Sequence, residues 1–442
     1  MLYHPSAYDT SSPVPSYWEA SVQRSELPTR PEPQHYDVVI IGGGFTGQSA
    51  ALTFAEQGQT SVAVLDAGKP GWGASGRNGG FCSVGGTGLS YREIEQQFGQ
   101  SACQHFLRMQ TRTIERVAER AGQYAWNIDA CLPGELQLAH SPKAFKAQRE
   151  KQQYLQQRFD HPTELWDKST CQQQGVDSPA FYGGLYVPSG FGLHPLKYDL
   201  ALTRTLLDMG VHWHAETFVD RWQRIGQGFQ IQTSRGDFSA KQLLIATNGY
   251  TRPGLLPNYE AGLMPVQSNI LVTRPLSLEE QQQQGWHSTL MSYDSRHLLH
   301  YFRLLPDGRF LFGGRGGTSA NPNTLAAMRA LLTRDFHQLF PAWKSVEIEY
   351  FWRGLLCLSA TNMPHVCELP DNRGAYVAMA FHGDGVAMGS WCGEQVARQM
   401  MGMDSDLPEF MRQPPKAFPL PGLRPLYLRA GYLGYHMLDL WS

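Results

Sequence analysis

Charge is scarce and balanced in this chain. Only 17% of its 442 residues are charged, and the formal net charge is -2. That excludes the global basic field that gathers nucleic acid, so no nucleic-acid partner is expected. Cysteines are few and dispersed, at positions 82, 103, 131, 171, 357, 367 and 392, with no C-x-x-C pair and no metal-ligand spacing. An odd, scattered set argues against a disulfide framework and a metal centre, and fits reduced thiols in the cytoplasm. No run approaches the ~20 uninterrupted apolar residues of a membrane-spanning helix. The first 22 residues lack the basic and apolar regions of a secretory signal. What is left is a globular balance, 42% hydrophobic, in a chain long enough for about two to three domains.

What is abundant is glycine, 45 residues, and its placement carries the argument. Residues 36–66 read YDVVIIGGGFTGQSAALTFAEQGQTSVAVLD. A buried strand (38–41) runs into Gly42-x-Gly44-x-x-Gly47, a helix follows over about 46–57, and a second strand (61–65) delivers Asp66. This is a βαβ dinucleotide-binding unit with its acid at the expected distance. Gly42 permits the turn, Gly44 lets a pyrophosphate approach the backbone, and Gly47 lets helix and strand pack closely. Phe45 and Thr46 open the helix, whose unpaired amides and dipole favour phosphate. Asp66 can accept from both hydroxyls of an adenosine ribose, with Ala67 beside it, and its charge disfavours a 2′-phosphate.

A second glycine-rich loop follows, AGKPGWGASGRNGG at 67–80. A nicotinamide-binding unit needs no such loop, whereas a longer, extended dinucleotide does. Gly73, Ala74, Ser75, Asn78, Gly79 and Gly80 are expected along it, with Arg77 or backbone amides facing the phosphates.

With this loop, the fingerprint resembles the flavin-dependent amine and amino-acid oxidases of the D-amino-acid oxidase superfamily. The likeness is closest to γ-glutamylputrescine oxidases and more distant to sarcosine, glycine and pipecolate oxidases. It runs in patches from about Tyr17 to the C-terminus. IATNGY (245–250, with Thr247), FWRGLL (351–356), TNMPHV (361–366) and AFHGDGVAMGSWCGEQVA (380–397) look like the family's other motifs. The resemblance implies bound FAD and an α/β fold: a Rossmann-like FAD domain with a discontinuous, β-rich α+β substrate domain. The expected division is an arm (1–35), an FAD domain (36–130, 190–255, 351–400), a substrate domain (131–189, 256–350) and a tail (401–442). Within it, residues 91–127 read as helix, 142–160 as a polar helix, 196–209 and 323–339 as helices, and QQQQ (281–284) as a loop.

The last motif has a reading of its own. Gly383, Asp384, Gly385 and Val386 open a helix reaching to about Met401, and its amides would face the flavin edge where negative charge develops on reduction. His382 and Asp384 flank these glycines and could face flavin or substrate, or His382 could be a satisfied interior group. Tyr301 and Arg303 share one face of the strand at HYFR, and Arg315 closes the next strand. Either arginine could hold a substrate carboxylate, or serve as an ordinary ion-pair partner. Trp352 could wall the pocket or be plain core.

Two departures matter. Where sarcosine-type relatives have a carboxylate-binding lysine in the final loop, this chain has Ala387. Their flavin-linking cysteine lies near Cys357 but one residue off, so FAD is expected to be noncovalent. The expected reaction is oxidation of a primary or secondary amine of the γ-glutamylputrescine type. Hydride passes from the C–H next to nitrogen to flavin N5, the imine hydrolyses to an aldehyde, and O2 is reduced to H2O2. The alternatives are an amino- or imino-acid oxidase or dehydrogenase using another electron acceptor, and a flavin-binding protein without catalysis or with an RNA-modifying or assembly role.

Overall fold

The computed structural model describes residues 2–25, 27 and 34–441. Met1, residue 26 and residues 28–33 of the expected arm, and Ser442 of the expected tail, lie outside the described residues. Two sheets organise the chain. The first runs in the order His365–Glu368, Ala375–Met379, Gly236–Ile245, His35–Ile41, Val62–Leu65, His212–His214. Its centre is parallel: Ile41 lies between Leu65 and Ile245, and Leu65 beside His214. Val219–Ile225 and Gly228–Thr233 add an antiparallel flap. The central strands are apolar throughout because both faces are covered. On one face Val38, Ile40, Val62 and Val64 meet the helices Phe45–Glu56, Gln100–Gln123 and Ala387–Met400; on the other, Val39, Ile41, Ala63 and Leu65 meet a separate core.

The second sheet runs Ile348–Ser359, Leu263–Thr273, Phe310–Arg315, His300–Leu304, Met291–Asp294, Pro133–Leu138, Gly183–Gly192, Phe81–Cys82, with Glu164–Asp167 also paired to Gly183–Gly192. It is antiparallel apart from the parallel pair Met291–Asp294 and Pro133–Leu138. Its outer face carries a dense aromatic cluster (Trp286, Phe302, Phe310, Phe312, Phe336, Phe340, Trp343) under the helix Leu325–Leu339.

Several expectations change. Residues 351–359, placed by sequence with the FAD domain, belong to a strand of the second sheet, paired over its length with Leu263–Thr273. The single helix expected over 91–127 is two, Tyr91–Phe98 and Gln100–Gln123, because Gly99 sits at φ +87. The QQQQ segment lies in a helix, Leu278–Gln284, opened by a Ser277/Glu280 capping box, with Gln281 and Gln284 buried. The tail ends in the helix Arg424–Trp441, tied back where Arg424 Nη1 donates to Glu260 O (2.6 Å) and Leu263 O (2.7 Å), and where Asp439 accepts from the His297 and Leu298 amides. Among the described residues no helix is long and apolar enough to cross a membrane.

Candidate active site

The carboxyl ends of the parallel strands open into a cavity of about 480 Å³ that continues to the inner face of the second sheet. This is where open α/β sheets place ligands. Gly42 turns off its strand at φ +103, and a Cβ there would lie 2.8 Å from Ala246 O. Gly47 does not line the cavity; a Cβ on it would meet Gly42 O at 1.9 Å, so its work is to seat the helix on the strand. Gly44, Phe45 and Thr46 line the cavity, and Gly44 caps the helix with no side chain. Asp66 accepts from Gly43 N (2.7 Å) and Gly68 N (2.8 Å). Burial pushes its carboxyl above the ordinary range, against those two bonds. Each oxygen retains acceptor capacity toward the cavity, which Ala67 also lines.

The second glycine loop runs along the same cavity through Gly73, Ala74, Ser75, Arg77, Asn78 and Gly79. A Cβ on Gly73 would meet nothing within 4 Å, so backbone faces open space. Ser75 Oγ accepts from Phe45 N at 2.9 Å and joins the two loops. Arg77 is engaged elsewhere. It donates to Trp72 O through Nε (2.8 Å) and Nη2, and to Arg353 O (3.1 Å), with its guanidinium 4.3 Å from the Trp72 ring. Of the two phosphate partners open from sequence, the backbone amides are the ones left facing the cavity. Asn78 folds the loop, donating to Ala74 O and Ser75 O and accepting from Gly80 N. Gly80 lies behind the cavity wall, where a Cβ would meet Leu193 O at 2.0 Å.

At the other end, Gly383 (φ +116) and Gly385 line the cavity, and a Cβ on either meets nothing within 4 Å. Val386 caps the helix Ala387–Met400 without a side-chain bond, and in the first turn Met388 N donates to Asp384 O (3.2 Å). His382 is buried at φ +53, and its Nε2 accepts from Ser359 N at 3.3 Å. Burial, then Arg315 and His365, push it down to about 3, so the ring is neutral with its proton on Nδ1. Asp384 accepts from Gly86 N (2.9 Å) and Ser83 Oγ (3.4 Å), and burial pushes it up to about 6. Tyr301 shares a 2.9 Å hydrogen bond with Ser268, and its ring lies across Gly313, where a Cβ would be 2.1 Å away. Arg315 and Thr247 also line the cavity. No ion-pair partner for Arg315 lies within 4 Å among the described residues.

Two candidates fall outside. Arg303 is 1% exposed and donates to Gly79 O (3.1 Å) and Leu193 O (2.6 Å), so it braces the glycine loop and does not reach the cavity. Trp352 is buried behind the wall, donating to Arg77 O at 2.8 Å. Sequence reasoning missed Glu135, Tyr293 and Ser268 of the second sheet, and Tyr8 and Thr10 of the N-terminal arm, all cavity-lining.

FAD fits this cavity: glycines open to it at both ends, neither helix is capped by the side chain of its own N-cap residue, and an acid stands after the second parallel strand. Comparison with known proteins agrees. The DAO family, described as FAD dependent oxidoreductase, matches residues 37–399. The chain is 29% identical over 401 residues to a probable oxidoreductase OrdL of Haemophilus influenzae, covering 89% of each. It is 28% identical over 412 residues to a gamma-glutamylputrescine oxidoreductase of Escherichia coli, covering 93% of this chain and 94% of that one. In three dimensions it is similar to glycine oxidase from Geobacillus kaustophilus, with a TM-score of 0.71 at 18% identity over 84% of this chain and 96% of that one.

Proposed function

Since the chain belongs to the DAO family of FAD-dependent oxidoreductases, we propose that it oxidises an amine whose reacting carbon bears no carboxylate. A γ-glutamylated diamine is the type. When bound, FAD would supply the acceptor for the hydride from the C–H that adjoins nitrogen. The residues Gly42, Gly44 and Asp66 would hold its pyrophosphate and adenosine ribose, and Gly73 to Gly79 its extended middle. The N-terminal amides of Ala387–Met400 would support the negative charge that develops at the ring edge. Cys357 is buried, does not line the cavity and is pushed up to about 12 by burial, which supports noncovalent binding.

The substrate nitrogen must be neutral for its lone pair to assist. The aromatic pair Phe81 and Tyr301 favours that form by desolvation. His382 gives its Nε2 lone pair to Ser359 N and carries no charge to compete. For a primary amine the balance is amine, O2 and water giving aldehyde, ammonia and H2O2.

The observation that carries the substrate reading is Arg315. It faces the cavity without an ion-pair partner among the described residues, while Ala387 is buried and offers no cation. A carboxylate remote from the reacting carbon fits that guanidinium. The same arginine supports a second reading, an amino- or imino-acid oxidoreductase with a relocated carboxylate anchor. Comparing kcat/KM for a γ-glutamylated diamine with that for pipecolate, and measuring peroxide yield, separates the two.

A further inference from the structure

Glu135 has no place in the chemistry described so far, yet it lines the same cavity. It is 1% exposed, in the strand Pro133–Leu138, between Val187 on one neighbouring strand and Met291 on the other. Its Oε1 is buried without a hydrogen-bond partner among the described residues. The fold does not call for an acid there: an apolar side chain would fill an inward sheet position at lower cost, since an unpaired buried carboxyl loses its hydration for nothing. Tyr293 on the adjacent strand and Asp384 from the glycine loop line the cavity with it, and both are electrostatically coupled to Glu135. Lys151 is the one cation felt by Glu135 in that setting, but it forms no ion pair with it within 4 Å and is itself driven toward the neutral form by burial. Burial first, and then Asp384, hold the Glu135 carboxyl well above its ordinary range, with Lys151 opposing. Two interacting acids and a tyrosine lining one cavity make a site whose missing element is a cation.

We infer that Glu135, with Tyr293 and Asp384, forms an ammonium subsite that holds a second cationic nitrogen of the substrate, remote from the nitrogen being oxidised. This rests on the amine-oxidation reading above. With Arg315 lacking an ion-pair partner among the described residues in the same cavity, the substrate class narrows to amines carrying a second ammonium group, including conjugates that add a carboxylate.

The test uses the flavin-loaded enzyme. The ratio of kcat/KM for butane-1,4-diamine to that for butylamine is measured in the parent and in Glu135→Gln. Flavin absorbance is also titrated with tetramethylammonium, which cannot be dehydrogenated at nitrogen. The inference expects the ratio to fall at least tenfold, through KM, and tetramethylammonium binding to weaken at least tenfold. An unchanged ratio with butylamine still oxidised overturns the subsite and leaves amine oxidation standing. If no amine reduces the flavin but tetramethylammonium binding still depends on Glu135, amine oxidation falls and the subsite stands. If Glu135→Gln fails to fold, Glu135→Asp decides. Its carboxylate is withdrawn by one methylene, so preference should move from butane-1,4-diamine toward pentane-1,5-diamine, and an unmoved chain-length preference overturns the inference.

Discussion

Asp66 and Gly385 show how far single residues can be argued. Asp66 was legible because its distance from the glycines is set by one helix and one strand, and the structure leaves acceptor capacity on it toward the cavity. Asp66→Ala should weaken FAD retention by the value of charge-assisted bonds, ~1.5–3 kcal/mol or roughly 10- to 100-fold in Kd. Flavin content after dialysis measures this, and full retention would remove the acid from the site. At Gly385 an added Cβ points into open cavity and meets no protein atom within 4 Å. Gly385→Val should therefore leave the apoprotein folded but displace the flavin. Equal loss of apoprotein stability would place the glycine in the fold and not in the site. At Arg303 and Arg77 the sequence left alternatives open for a shared reason. A sequence shows which face of a strand or loop an arginine occupies, not whether nearby carbonyls already take its donors.

At the scale of elements, the βαβ unit, the helix Pro142–Phe159 and the helix Leu325–Leu339 were readable from periodicity and caps. Met291–Asp294 was not, being four residues long, and neither was the continuation of the strand Ile348–Ser359 past residue 354 in the second sheet, because apolar pattern says nothing about pairing partners. Two contacts between elements give predictions. Arg120, 2% exposed, joins Gln100–Gln123 to the other two helices of its layer through Glu56 (2.8 Å) and Glu394 (3.2 Å). Arg120→Met leaves those acids with the more exposed Arg116 and should cost about 3 kcal/mol or more, read as a lower urea midpoint. His300 joins its strand to Asp294 (2.8 Å) and Asp335 (3.6 Å). Burial opposes its charge, but the two acids outweigh it and raise the histidine to about 9. The folded state thus binds this proton more tightly than the unfolded one. Its stabilising effect is complete below the unfolded value near 6.5 and is lost as pH rises through about 9. The difference in thermal midpoint between the parent and His300→Gln should be largest at pH 6 and small at pH 10. A constant difference would show that His300 acts by packing alone.

In the whole molecule, the cofactor cavity exists only because a parallel sheet ends against the inner face of an antiparallel one. The first sheet contributes the glycine turn and Asp66, while the second contributes Tyr293, Tyr301, Arg315 and Glu135. The first set follows a local motif and could be read from sequence. The second comes from strands far apart in the chain, and no local pattern announces it. Seating a ligand across both sheets should stabilise them together, so the thermal midpoint should rise with added FAD, and acid precipitation should leave the flavin free in the supernatant. Colour retained in the pellet would mean a covalent link. The central claim is that this site removes hydride from an amine carbon that carries no carboxylate. Its most direct test is anaerobic bleaching of the bound flavin, followed as kcat/KM across a panel. The account predicts a higher value for a γ-glutamylated diamine or a plain alkylamine than for sarcosine, pipecolate or D-alanine; a ratio below one would contradict it.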